Sequence, residues 1–401
     1  MKANYILFAI IFCFACESTF PQWQQSGAFN GSVLPFAVKG TLLFAGTYGE
    51  GVYITSDAGA TWNYSSSGMT NKRIISLVVN GNNIFAGSES GGVYLSSNDG
   101  ANWLPVNTGL NSYEIHTITA NSTTVYAGTN LGVHMTTDNG NNWIKISSSS
   151  ISNVIFALTV IENKLFAATG LGIFLTTNNG TDWTNVTNGV SSSVYCFKSY
   201  GNTVYAGSSL HGVYRSTDFG TTWVRLYNGL PPGKAIRTII ESNNRLFAAT
   251  YGSGVYYSID DGASWLAANE GLTNLLAFAV TSYGNYMFAG TGGGIFRRPS
   301  NEFTSIEKNE EQFPRDFQLL DNYPNPFNPI TKIKFSLPKN TFIKLDVFDV
   351  TGRYVSGLIN SILSAGTYTV DFNGSDYSSG VYFYRLTCDE FTDTKNMILV
   401  K

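Results

Sequence analysis

Seven tryptophans stand at positions 23, 62, 103, 143, 183, 223 and 265, separated by 39, 41, 40, 40, 40 and 42 residues. A unit of about forty residues that carries several short apolar runs cannot bury its own apolar faces. The chain must therefore be an array in which neighbouring units cover one another. Two further strings return seven times. Leu43-Phe44-Ala45-Gly46-Thr47 comes back at Ile84, Val125, Leu165, Val204, Leu246 and Met287, and Gly followed by Val or Ile and then Tyr, Phe or His stands at Gly51, Gly92, Gly132, Gly172, Gly212, Gly254 and Gly294.

With a preceding apolar run such as Ile74-Ile75-Ser76-Leu77-Val78-Val79, these strings make four short strands per period. They run from an inner strand A through B and C to an outer strand D that follows the tryptophan. Four strands in forty residues is the unit of a β-propeller, not of a helical solenoid. The ends of the array are complementary: it opens at Trp23 with a D strand and no hairpin, and its last copy stops at Gly294-Ile295-Phe296 with neither hairpin nor tryptophan. A ring explains this cut, because a first strand that completes the last sheet leaves no open edge. The predicted fold class is all-β, a seven-bladed β-propeller over 23–298 followed by a small immunoglobulin-like β-sandwich over 317–401.

Six tryptophans follow the same hairpin, Thr55-x-Asp57-x-Gly59-x-Thr61-Trp62 in the first copy and Ser216-x-Asp218-x-Gly220-x-Thr222-Trp223 in the fifth; the others run Ser96 to Trp103, Thr136 to Trp143, Thr176 to Trp183 and Ser258 to Trp265. The expected chemistry is that of a tight turn. The carboxylate or amide accepts backbone N–H bonds two residues on, glycine takes a positive φ, and the tryptophan packs between sheets. The string resembles the Asp-box (BNR) repeat of sialidases, xyloglucan-cleaving hydrolases, sortilin-type receptors and photosystem-assembly propellers. That resemblance implies a structural role for Asp57, Trp62, Asn98, Trp103, Asp138, Trp143, Asn178, Trp183, Asp218, Trp223, Asp260 and Trp265. It implies no single activity, since those families do unrelated things.

Lys2 and the apolar run Tyr5 to Ala15 read as a secretory signal peptide over 1–18, too short for a spanning helix. Cys13 and Cys16 fall in or beside it, leaving Cys196 and Cys388, so no disulfide framework is expected. None is needed: a chain that is 43% hydrophobic and only 13% charged can bury an ample core. Residues 299–316 turn polar and acidic and read as a linker. The final segment resembles the C-terminal sorting domain of type IX secretion substrates of the Bacteroidetes. The matching residues are Tyr323-Pro324-Asn325-Pro326-Phe327-Asn328-Pro329, Val347-Phe348-Asp349-Val350-Thr351-Gly352-Arg353, Ala365-Gly366, Ser379-Gly380-Val381-Tyr382-Phe383-Tyr384 and Met397-Ile398-Leu399-Val400-Lys401. The resemblance implies the type IX machinery as a partner, an extracellular or outer cell-surface location, and removal of the domain with attachment of the cargo to lipopolysaccharide in many members.

Residues 23 to 298 hold 13 basic and 13 acidic side chains, which gives no field for nucleic acid, and no transmembrane segment is apparent. All seven aspartates of this region fall in the hairpins, so a glycosidase pair would have to be glutamates. The face made by the B–C and D–A connections carries Tyr48, Glu50, Arg73, Glu89, Tyr113, Glu114, His211, Lys234 and Tyr251. Of these, Tyr48, Glu50, Arg73, Tyr113, His211 and Tyr251 suit contact with a glycan or protein, and Glu89 with Glu114 is the one carboxylate pair from adjoining connections. Arg73 and Arg237 are the only inner-strand arginines, short of the three a sialidase would use. The histidines, His116, His134 and His211, are too dispersed for a metal site, and no cofactor is expected. The expectation is therefore a secreted or surface-anchored, monomeric binding or structural module. The alternatives are a xyloglucanase- or sialidase-like glycoside hydrolase, or an inert spacer.

Overall fold

The computed structural model describes residues 22–27, 29, 31–148, 151, 153–303, 306–309, 316–363 and 365–401, so the expected signal peptide lies outside the described residues. They separate into two compact units, divided along the chain between Glu307 and Lys308. The first contains seven four-stranded antiparallel sheets. In the first sheet the order is Val33–Lys39, Leu42–Thr47, Gly51–Thr55 and Asn63–Tyr64, which are strands A to D of one sequence period. Inner strands of successive sheets pack side by side, and that of the seventh, Ala277–Tyr283, packs against Val33–Lys39 of the first. The array is a closed ring.

The last sheet is completed from the other end of the unit. Gln24–Gln25 pairs with Gly294–Pro299, Gln24 opposite Arg297 and Gln25 opposite Phe296. Trp23 takes the place of a hairpin tryptophan there: its Nε1 donates to the Ala268 carbonyl at 2.6 Å, and its ring is 2% exposed. The B strands form the driest layer. Every residue of Leu43–Thr47, and of its counterparts in the other sheets, is buried, which is why this small and apolar string repeats so faithfully.

One irregularity recurs in all seven inner strands: the A–B register shifts at the start of strand A, between Ile74 and Ser76, Ile155 and Ala157, Val194 and Cys196, Ile236 and Thr238, and at the matching places elsewhere. A bulge there re-aims the second residue of the strand out of strict alternation.

The second unit is a sandwich of two four-stranded sheets. One has the order Ile306–Asn309, Gly366–Asn373, Ile330–Leu337, Gln318–Leu319, and the other Tyr354–Leu363, Thr341–Asp349, Gly380–Cys388, Phe391–Leu399. Inward residues alternate along the strands, with Ile333, Phe335, Val370, Leu345, Val347 and Tyr384 fully or almost fully buried. The proline-rich run anchors this unit to the end of the chain. Phe327 is buried against Phe372, its N–H donates to the Ile398 carbonyl, and the Val400 N–H donates to the Phe327 carbonyl.

The reading of 299–316 as a linker is corrected at two places. Phe303 is buried among Trp23, Phe247 and Tyr257, and Ile306–Asn309 is a strand of the C-terminal sandwich. Polar composition hid both: Phe303 is the one apolar anchor of its turn, and Ile306–Asn309 joins its sheet through strand pairing.

Candidate functional site

Two sets of connections can carry chemistry, one on each face of the ring. On the first face the C–D hairpins are self-contained. Asp57 Oδ1 accepts the Thr55 hydroxyl at 2.7 Å and the Thr61 N–H at 2.9 Å, and Oδ2 accepts the Thr61 hydroxyl at 2.6 Å. These bonds hold Asp57, and likewise Asp138, down at about 2, with the side chain four residues on as the largest cause. The backbone N–H captured lies four residues on, not two as the turn chemistry suggested, because the loop makes a full one-turn excursion before the tryptophan. The indoles then stitch sheet to sheet: Trp103 to the Ser65 carbonyl, Trp143 to Val106, Trp183 to Ile146 and Trp223 to Val186, at 2.7 to 3.0 Å. A–B turns of one sheet touch the hairpin of the next, as in the Lys39–Asp99 pair and Lys164 over the Phe219 ring. Asp57, Asp138, Asp218 and Asp260 are each bonded within their own hairpin, and Asp182 accepts the Asn178 Nδ2.

On the opposite face the residues singled out from sequence fall into separate groups. Tyr48, Arg73 and Glu89 close on each other: the Tyr48 hydroxyl donates to Glu89 Oε1 at 2.6 Å, Arg73 Nη1 reaches Glu89 Oε2 at 2.7 Å, and the guanidinium lies 5.1 Å from the Tyr48 ring centroid. The backbone fixes this group, since Tyr48 bridges Arg73 and the Glu89 N–H donates to the Arg73 carbonyl. The Tyr48 hydrogen bond first, and Arg73 after it, holds the Glu89 carboxyl below its ordinary range. Glu50 is apart from them, accepting the Tyr53 hydroxyl at 3.2 Å.

Glu114 belongs to a different group. It accepts Asn130 Nδ2 at 2.9 Å and lies 3.6 Å from His116 Nε2, while Asn130 Oδ1 receives the Ser112 hydroxyl. Burial, offset in part by Glu114, lowers the His116 pKa. Glu89 and Glu114, the carboxylate pair expected from sequence, are bonded to different neighbours, Tyr48 and Arg73 for the one and Asn130 for the other.

Tyr113 and Tyr251 are half-exposed, and the Tyr251 ring meets Phe278 edge-on at 5.7 Å. The His211 Nδ1 is 3.3 Å from the Ser191 hydroxyl, and its carbonyl accepts Arg225 Nε. Sequence reasoning missed the residues that the inner-strand bulge turns outward, Phe156, Tyr195 and Phe278, and weighed Arg237 only as one arm of an arginine triad. Phe156 and Tyr195 meet edge-on at 5.5 Å, and Arg237 stacks 5.3 Å over Tyr195. Their common signal is position, the second residue of strand A. Alternation alone assigns that residue to the wrong side. Among the described residues no group of three or more His, Cys, Asp or Glu could hold a metal ion, and no helix is long and apolar enough to cross a membrane.

Comparisons with known proteins agree with this architecture. Residues 321–401 match the Secretion system C-terminal sorting domain family, and residues 190–325 match the DUF6242 β-propeller domain. No curated protein matches in sequence. Among solved structures, YCF48 from Cyanidioschyzon merolae is 15% identical with a TM-score of 0.55, covering 69% of this chain and 98% of its own. The WD40 β-propeller domain of Doa1 is 12% identical with a TM-score of 0.58, over 69% of this chain and 96% of its own. The extracellular domain of BT3049 from B. thetaiotaomicron is 13% identical with a TM-score of 0.58, over 94% of this chain and 57% of its own. At such identities the likeness is one of fold. The chain is a β-propeller joined to a secretion-system sorting domain, and that domain marks it for export to the cell surface or the extracellular space.

Proposed function

We propose that the propeller is a non-catalytic binding module, presented outside the cell, whose B–C and D–A connections contact a glycan or protein. In this reading the hairpins are Asp-boxes that make the ring rigid, residues 1–18 are a signal peptide, and Tyr113, His211 and Tyr251 contribute contact surface. The observation that carries it is the commitment of Glu89. An acid catalyst of glycoside hydrolysis works with a carboxyl pKa raised toward neutrality. Glu89 is held in the opposite direction by Tyr48 and Arg73, which argues against the acid's role, and both its oxygens are already bonded, which argues against the nucleophile's. Glu114, the other member of the candidate pair, is bonded elsewhere.

A panel of polysaccharides, assayed with the purified full-length protein for both retention and release of reducing ends, tests this reading. Retention without release is expected. Glu89→Gln and Glu114→Gln should leave retention in place; a fall of about 10²-fold or more in sugar release on either change would mean a hydrolase instead.

A further inference from the structure

The propeller has balanced charge overall, but the carboxylates of its B–C and D–A face are unevenly spread. On the first three sheets these connections carry Glu50, Glu89 and Glu114 beside Lys72 and Arg73. On sheets four to seven they carry a single carboxylate, Glu270, and it is paired with Arg298. Two further cations stand in that sector. Lys234 Nζ lies against Gly252, beside Tyr251, and Arg237 is the outward-turned second residue of its inner strand. Among the described residues neither makes an ion pair or a side-chain hydrogen bond; the contact Arg237 does make is with the Tyr195 ring.

A guanidinium held over a ring by a cation–π contact still has N–H groups to satisfy, and they match a carboxylate in two parallel bonds. The half-buried placement of Arg237 lowers the local dielectric, so such a bond would be stronger here than at an open surface. The flanking B–C turns are aliphatic: Leu171 is 62% exposed and Leu210 54% exposed, at matching places in the fourth and fifth sheets. Leucine has no polar atoms for sugar hydroxyls, whereas it packs well on apolar side chains of a peptide.

Resting on the binding-module reading above, we infer that the mouth of the ring between the fourth and seventh sheets binds a peptide segment in which a carboxylate sits beside apolar side chains. Arg237 takes the carboxylate, Lys234 adds attraction at the rim, and Leu171 and Leu210 take the apolar neighbours.

The test uses the full-length protein on an array of immobilised octapeptides that contain Asp or Glu next to Leu, Ile or Phe, each with its amide counterpart, beside oligogalacturonate as an acidic sugar. Acidic peptides should be retained, and their amide counterparts should not. Arg237→Gln should weaken retention tenfold or more at an unchanged melting temperature, Arg237→Lys should restore it only in part, and Lys164→Gln, on the opposite face, should leave it intact. Equal retention of acid and amide peptides, or indifference to Arg237→Gln, would overturn the inference. So would preference for oligogalacturonate over every peptide, although the broader binding reading would then survive. A protein that retains neither class overturns the inference, and only failure across the full polysaccharide panel as well would count against the broader reading.

Discussion

His134 fills the place that Tyr53, Tyr94, Phe174, Tyr214, Tyr256 and Phe296 fill in the other sheets, the third residue of the Gly-Val or Gly-Ile string. It is fully buried, and neither ring nitrogen has a hydrogen-bond partner. Burial, with Lys145 as the second cause, pushes its pKa down to about 4. An unfolded histidine titrates near 6.5. Between those values the unfolded chain holds a proton that the folded chain refuses, so stability is constant above about pH 6.5 and declines as pH falls toward 4. The depth of that decline is on the order of 3 kcal/mol. His134→Phe should remove it: the gap between the urea midpoints of variant and parent should widen in the variant's favour from pH 8 to pH 4.5. His116, also depressed by burial, leaves a smaller slope in both. The hairpin carboxylates do not confuse the measurement. Asp57 and Asp138 are held down at about 2, so their stabilisation is present above the ordinary aspartate value and is lost only in more acidic solution. Unchanged pH dependence in His134→Phe would show that the ring is protonated within the fold.

At the scale of the element, the hairpins show how one geometry accepts two chemistries. Where the second position is aspartate, the fourth residue on donates to it: Thr61, Asn142, Thr222 and Ser264 each bond an aspartate Oδ2. Where it is Asn178 the polarity reverses, and the amide Nδ2 donates to Asp182 Oδ2 at 2.9 Å. N178D alone would set two carboxylates against each other and should lower the melting temperature; D182T added to it should recover most of that loss. Equal melting of N178D and its parent would mean that the pair carries no weight. This bond pattern was largely legible from sequence, because each hairpin satisfies itself from eight consecutive residues. Phe156, Tyr195 and Arg237 were not. They are brought together by a bulge that alternation does not foretell and by contacts between sheets some forty residues apart. The Tyr48, Arg73 and Glu89 group failed for a related reason. Sequence placed all three on one face, but only the ladder between Glu89 and Arg73 shows that they spend their polar groups on one another.

At the scale of the whole molecule the question is how far closure adds to the sum of the sheets. In an open stack, losing a terminal strand removes only that strand's own contacts. Here the first described residues join both neighbours: Trp23 N–H and Nε1 reach the Glu270 and Ala268 carbonyls, the Ser26 N–H reaches Ile295, and the Ser26 hydroxyl reaches the Gly59 carbonyl while accepting from Trp62 Nε1. Removing them bares the edge of Gly294–Pro299 and unseats Trp62 in the first sheet as well. A mid-ring substitution supplies the scale. Trp143→Ala deletes one buried indole and its bond to Val106, which should destabilise by about 3–5 kcal/mol. A chain that begins at residue 31 should lose more than this, and its unfolding should broaden as the freed ends let the terminal sheets open before the rest. Thermal melts followed by tryptophan fluorescence compare the two directly. If the shortened chain melted as sharply as Trp143→Ala and no lower, the seam between the first and last sheets would be an ordinary contact, and the rigidity of the face it supports would have to come from the individual sheets.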